Sequence, residues 1–152
     1  MSQTLILQAF EGHDFVKQLS EPLRMLLASG LQPFEAKPGQ VLGKEGHPAD
    51  KFYLIQSGHV SIGTHTAAKG WIEIQRVGPG ESVGWSWLIP PHQWQFDCIA
   101  YDEVKGIMID GDWLRKQCES NHELGNQFLR QLLRVLTGRL VATRKKLLNL
   151  LS

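Results

Sequence analysis

The stretch from Pro33 to Asp110 is cut at short intervals by turn residues: Pro38-Gly39, Ser57-Gly58, Lys69-Gly70 and Gly78-Pro79-Gly80. Between the cuts lie short apolar runs, among them Phe52-Tyr53-Leu54-Ile55, His59 to Ile62, Trp71 to Val77 and Val104 to Ile109. Such runs, bounded by turn residues, predict many short strands. No helical segment lies between them to carry a parallel crossover, so a dinucleotide-binding α/β fold is excluded. The expected architecture is mainly β, an antiparallel β-roll of the jelly-roll kind. Fifteen glycines and seven prolines, most of them between residues 30 and 111, agree with this and are too many for a helical bundle.

The flanks read differently. Near the N-terminus Ser20 is a candidate helix cap, Pro22 sits in the first turn and Gly30 marks the stop. Toward the C-terminus Ser120 and Glu123 have capping-box spacing, and no proline follows. In this helix Leu129, Leu133, Leu136, Leu140, Thr143, Leu147 and Leu150 recur at alternating steps of four and three, a heptad seam with one polar member. Two uses of the seam stay open: packing within the chain, or a homodimer. About 30 helical residues span roughly 45 Å, longer than a small roll can cover, which favours self-association. A second apolar line, Leu124, Phe128 and Leu132, is expected to face the β body. The chain thus divides as one domain over 1–152: a helical segment 1–31, a β-roll 32–111, and a hinge with the long helix 112–152.

Charge and cysteine usage narrow the setting. The net charge is +1, with 42% hydrophobic and 20% charged residues, so neither a strongly basic nucleic-acid binder nor an acidic tail is indicated. Residues 121–152 hold six basic groups and one acid, +5, which leaves −4 for the remainder. A solvated helix face accounts for this, with a phosphate or acidic protein partner as the alternative. No apolar run approaches the roughly 20 residues of a membrane span, and residues 1–30 lack the order of a secretory signal. Cys98 and Cys118 form no C-x-x-C pair, so a cytoplasmic location with reduced thiols is expected.

The most specific segment is Pro38-Gly39-x-Val41-Leu42-x-x-Glu45-Gly46-x-x-Ala49-Asp50-x-Phe52-Tyr53-Leu54-Ile55-x-Ser57-Gly58-x-Val60-x-Ile62. It resembles the cyclic-nucleotide-binding domain family, found in Crp/Fnr-type regulators, kinase regulatory subunits and gated channels. The resemblance covers nearly the whole chain and implies a β-roll that senses a ligand and hands the signal to the long helix. In that family a cassette similar to Gly-Glu-Leu-Ala followed by Arg-Ala-Ala holds the ligand: glutamate takes the ribose hydroxyl and arginine the cyclic phosphate.

Here the cassette reads Gly84-Trp85-Ser86-Trp87-Leu88-Ile89-Pro90-Pro91-His92-Gln93-Trp94-Gln95-Phe96-Asp97-Cys98. Gly84 is kept, but Trp85 stands at the glutamate position and Trp94 at the arginine position. No arginine occurs between Arg76 and Arg115. An uncompensated buried anion is costly, so tight cAMP binding in the usual mode is not expected. The expected ligand pocket comprises Gly84, Trp85, Ser86, Trp87, Gln93, Trp94, Gln95 and Phe96, with Thr143 and Arg144 from the long helix. Its rings either fill the vacated space or stack on a flatter, more apolar small molecule.

Other chemistries are weaker. His59, His65 and Glu73 come nearest to a cupin-like metal set but lack H-x-H spacing. No nucleophile motif or P-loop appears, so no catalytic residue and no metal or other cofactor is expected. Crp/Fnr-type factors continue into a helix-turn-helix module, whereas this sequence ends at Ser152, so sequence-specific DNA binding by the chain alone is not expected. The favoured expectation is a non-catalytic sensor or regulatory domain, homodimeric through its long helix and open to a small ligand or a protein partner. Its rivals are a scaffold with a plugged pocket and, more remotely, a small cupin-like metalloenzyme.

Overall fold

The computed structural model describes residues 3–152; of the segment expected over 1–31, residues 1 and 2 lie outside it. Three short helices, α1 (Gln3–Gly12), α2 (Asp14–Lys17) and α3 (Glu21–Ala28), precede eight strands. The strands are β1 (Leu31–Ala36), β2 (Val41–Gly43), β3 (Lys51–Ser57), β4 (Val60–Thr66), β5 (Gly70–Val77), β6 (Ser82–Val83), β7 (Asp97–Ala100) and β8 (Val104–Asp110). Two helices follow, α4 (Gly111–Ser120) and α5 (His122–Leu151). The strands form two four-stranded antiparallel sheets, ordered β1-β8-β3-β6 and β2-β7-β4-β5. The β-roll with flanking helices is the architecture read from the turn spacing.

Strands β3 and β8 divide the interior into two cores. Side chains alternate across a strand, so Phe52 and Leu54 enter one core while Tyr53 and Ile55 enter the other. In β8, Ile107 and Ile109 join the first and Val104 the second. The first core is finished by helices, with Phe10, Phe15, Leu23, Leu27, Leu114 and Phe128 against the sheet. The second lies between the two sheets and includes Ile62, Trp94 and Cys98. A strand buried on both faces reads as a continuous apolar run, which is why Phe52 to Ile55 was legible.

The caps differ in detail from expectation. Helix α3 does start after Ser20, but the Ser20 side chain makes no cap hydrogen bond. Ser120 is not the cap of the long helix. It ends α4 with its hydroxyl donating to the Lys116 carbonyl, and Asn121 Oδ1 accepts from the Leu124 N–H at 3.1 Å instead. The hinge expected from residue 112 is therefore itself helical, capped by Asp110 Oδ1 on the Trp113 N–H. The line Leu124, Phe128, Leu132 is buried against the roll. Most of the seam is left exposed by the chain's own packing: Leu129, Leu133, Leu140, Leu147 and Leu150 are all more than half exposed. Among the described residues no helix is long and apolar enough to cross a membrane.

A buried histidine sets one pH response. His13 Nδ1 accepts from the Phe15 N–H at 3.2 Å, and Nε2 lies 3.1 Å from the Glu81 carbonyl oxygen, to which it donates. Both ring nitrogens are satisfied only in the neutral tautomer, and burial holds the His13 pKa below its ordinary 6.5 despite the raising effects of Glu81 and Asp14. The unfolded chain then binds more protons than the folded one once pH drops below that value. Stability is expected to be full above about pH 6.5 and to erode as pH falls below it toward the lowered folded-state pKa. Urea titrations across this window should show the loss, and His13→Gln should flatten it; an unchanged slope in the variant contradicts this assignment.

Candidate functional site

The cassette begins where β6 ends. Gly84 adopts φ 99° and ψ 26°, a left-handed conformation that side chains disfavour, and caps a single 3₁₀ turn, Trp85–Trp87. A Cβ on Gly84 would also lie 2.6 Å from the Lys51 carbonyl oxygen and 3.1 Å from the Trp94 ring. The chain then passes through Pro90-Pro91 and returns along the loop after β2. There Trp94 N–H donates to the His47 carbonyl and Gly46 N–H to the Trp94 carbonyl, both at 2.9 Å. These bonds hold the Trp94 ring flat on Gly43, where any Cβ would overlap it at 2.2 Å. The gap between Gly84 and Trp94 is thus closed by the indole.

The turn sends its two tryptophans to different places. Trp85 is buried, with Nε1 donating to Ser82 Oγ at 2.7 Å and its ring edge-on to Phe15, Phe52 and Phe128. Trp87 enters the helix-side core against Phe52 and Phe128, under Gly111, and its buried Nε1 has no hydrogen-bond partner. Its carbonyl accepts from Arg115 Nη1 at 2.8 Å, which ties the cassette to α4. Trp85→Phe is expected to be more destabilising than Trp87→Phe by about 2 kcal/mol, since the first breaks a buried hydrogen bond and the second removes an unpaired donor. Paired denaturant melts read the difference directly; equal losses contradict it.

Beside the closed gap a cleft of about 300 Å³ remains between the roll and α5. The roll contributes Ile62, Gly84, Trp85, Trp94, Phe96 and Cys98, with Ser86, Ile89 and Gln95 nearby. The helix contributes Leu132, Leu136, Arg139, Leu140 and Thr143. These stand at i, i+4, i+7, i+8 and i+11, one face of an α-helix. Of the expected pocket, Gly84, Trp85, Ser86, Trp94, Gln95, Phe96 and Thr143 line this cleft, and Trp87, Gln93 and Arg144 do not. Trp87 is turned into the core by the 3₁₀ step. Gln93 forms an isolated antiparallel bridge with Pro48. Arg144 lies five residues beyond Arg139, rotated off the lining face.

Arg139 was counted among the basic residues of the helix but not assigned to the pocket. Continuing the apolar line Leu124, Phe128, Leu132 by two helical turns lands on it, and a cation on a buried stripe was the available signal. Its Nη2 donates to the Ser82 carbonyl at 3.5 Å, its Nε is buried without a partner, and burial lowers its pKa. Among the described residues no carboxylate forms an ion pair with it. Thr143 donates its hydroxyl back to the Arg139 carbonyl at 2.8 Å, and Lys146 Nζ anchors the helix on the Glu73 carbonyl at 2.7 Å.

The remaining candidates are dispersed. His59 pairs with Asp102, His65 with Asp97, and Glu73 with Arg76. Among the described residues no group of three His, Cys, Asp or Glu side chains is placed to hold a metal. Cys98 lines the cleft, but burial pushes its thiol up to about 12. A buried, protonated thiol is a poor nucleophile, so iodoacetamide should leave Cys98 unlabelled until the protein is unfolded. Rapid native labelling, read by mass spectrometry, contradicts this.

A β-roll whose cassette faces a long C-terminal helix across a ligand-sized cleft defines a class of regulatory domain. A model of the cyclic nucleotide-binding domain matches residues 33–121. The chain belongs to the cyclic nucleotide-binding domain family. It is 30% identical over 125 residues to the CRP-like cAMP-activated global transcriptional regulator of Mycobacterium tuberculosis, covering 82% of this chain and 54% of that protein. It is 36% identical over 86 residues to the acetyltransferase Pat of Mycolicibacterium smegmatis, covering 57% of this chain and 26% of that protein. The chain thus spans about half the length of the first relative and a quarter of the second. A cyclic nucleotide-binding domain from Methylobacillus flagellatus KT superposes with a TM-score of 0.76 at 26% identity, over 97% of this chain and 83% of that one. The regulatory subunit of a cAMP-independent protein kinase A from Trypanosoma brucei shares the fold, with a TM-score of 0.74 at 20% identity over 97% of this chain and 51% of that one.

Proposed function

We propose that this chain is a non-catalytic sensor domain that binds a small ligand between the roll and α5 and relays occupancy through that helix to a second copy or another protein. The observation that carries this reading is the shared wall: Leu136, Arg139, Leu140 and Thr143 line the cleft and belong to α5. A ligand there touches the relay directly, and differential binding to two helix positions is what shifts their populations. The cassette adds a second route, through Trp87 and Arg115 to α4.

Cyclic AMP and cyclic GMP are not the expected ligands. Trp94 occupies the position from which the family's arginine would neutralise the cyclic phosphate, and an indole offers one neutral donor against five charged ones. Titration calorimetry should give dissociation constants weaker than about 10 µM for both nucleotides, the range where binding free energy falls below roughly 7 kcal/mol; tighter binding overturns this part.

The sensor reading is tested by thermal shift with flat heterocycles, nucleotides and metals, since a ligand of the native state raises the midpoint. At least one flat compound should do so, and Leu140→Trp, at the exposed mouth of the cleft, should abolish the shift. A flat panel, or a shift indifferent to Leu140→Trp, favours instead a dimerising scaffold, the reading to which the closure of the Gly84–Trp94 gap lends support.

A further inference from the structure

The cleft holds one charge. Arg139 is the only ionisable side chain other than the Cys98 thiol among the described residues that line it. Its guanidinium has five donors, of which one makes a long bond to Ser82 and Nε is buried with no partner. Glu81, the carboxylate whose field reaches Arg139, accepts the Gly78 N–H at 2.7 Å. A desolvated guanidinium with open donors is under-satisfied, and a carboxylate would complete it with charge-assisted bonds.

The other walls fix what the anion must be attached to. They are apolar and aromatic, with Trp94, Phe96, Leu136 and Leu140 prominent. Among the described residues no carboxylate lines the cleft to take a ribose hydroxyl, and the Thr143 hydroxyl is already donated to its own helix. Among the described residues no second cation lines the cleft: Arg144 lies off its lining face, Lys146 is bound to the Glu73 carbonyl, and Arg134 bonds to Gln18. A dianion would be half neutralised. At about 300 Å³ the space is at the lower edge of ligand pockets, enough for one or two rings.

We propose that the cleft takes a flat, apolar monoanion, one or two rings bearing a single carboxylate, with Arg139 as its anion anchor. This rests on the sensor reading and names the ligand class for it. The anchor sits on α5 rather than in the cassette, so the ligand's charge pulls on the relay helix itself. Ligand binding and helix docking then become one event, and Trp94 supplies a stacking surface where the family's arginine would stand.

The test uses three probes, 2-naphthoate, its neutral analogue 2-naphthamide, and inorganic phosphate, titrated by calorimetry and tryptophan fluorescence. The proteins are the unmodified chain, Arg139→Gln and Leu140→Trp. We expect 2-naphthoate to bind at least tenfold tighter than 2-naphthamide, and phosphate to bind no more tightly than 2-naphthamide. Arg139→Gln should weaken 2-naphthoate at least tenfold while binding 2-naphthamide as before, which also shows that the variant is folded. Equal affinity for acid and amide, or 2-naphthoate binding unaffected by Arg139→Gln, overturns the anion assignment. If in that case Leu140→Trp still removes amide binding, the cleft remains a ligand site and only the ligand class falls. Phosphate binding as tight as 2-naphthoate places the anion in the neighbouring polar cleft shared by Arg139 and Gln75 and overturns the proposal. Binding of neither aromatic brings down the ligand class and the sensor reading together.

Discussion

Phe128→Ala is expected to lower the unfolding free energy by about 3–5 kcal/mol, the range for truncating a fully buried aromatic. Phe128 is wholly buried and is the point at which α5 is pinned to the roll. Its ring lies 5.0 Å from Phe15, 5.2 Å from Trp87 and 6.1 Å from both Phe52 and Trp85. Two of these partners come from the cassette turn, one from α2 and one from β3, so the void would open where three parts of the molecule meet. Little can collapse to fill it, because each neighbour is fixed by its own packing. Phe128→Leu keeps most of the volume and should lose far less. Urea denaturation followed by tryptophan fluorescence and by circular dichroism measures both, and a loss under about 1.5 kcal/mol for Phe128→Ala contradicts the assignment.

The same residues show which parts of the architecture could be read in the sequence. Long strands with a clear apolar run, β3 and β8, were visible because both their faces are buried. Strands β1, β2, β6 and β7 were not named. β1 carries Pro33, which is tolerated because this strand lies at the edge of its sheet. β6 has only two residues, too few for any periodic signal. Ser120 drew the cap because Glu123 stands three residues on, the capping-box spacing, whereas Asn121 is as good a cap by chemistry and the break between α4 and α5 hands it the role.

At the site, the cassette positions came from a resemblance to a family, which places residues along the chain but not around a turn. That is why Trp85 and Trp94 line the cleft with Gly84 while Trp87, two residues on, turns into the helix-side core. Arg139 was missed for the opposite reason. The cassette has no arginine between Arg76 and Arg115, and the cation in the cleft is delivered by another element, α5. The helical period supplied the information, but it had been applied to the apolar residues alone.

Leu133→Glu combined with Leu147→Glu is expected to turn a homodimer into a folded monomer. These two positions are chosen because they belong to the seam and do not line the cleft. Leu133, Leu140 and Leu150 are 64%, 70% and 81% exposed, a degree of apolar exposure along one helix stripe that a monomer leaves unexplained. Burying one leucine side chain is worth roughly 1.5–3 kcal/mol, and placing a carboxylate there instead reverses the sign. Sedimentation at tens of micromolar should show a dimer for the unmodified chain and a monomer for the double variant, with unchanged circular dichroism. An unmodified chain that is already monomeric, or a variant that stays dimeric, ends the idea. The seam and the cleft are not independent, however, since Leu136, Leu140 and Thr143 belong to both. A ligand that shifts these residues alters the dimer constant, and by linkage dimerisation alters the ligand's affinity at each of the two sites by the square root of that factor. The monomeric variant should therefore bind 2-naphthoate with an affinity measurably different from the dimer's, and with one site in each of two subunits the square of their ratio should reappear as the ligand-induced change in the dimer dissociation constant.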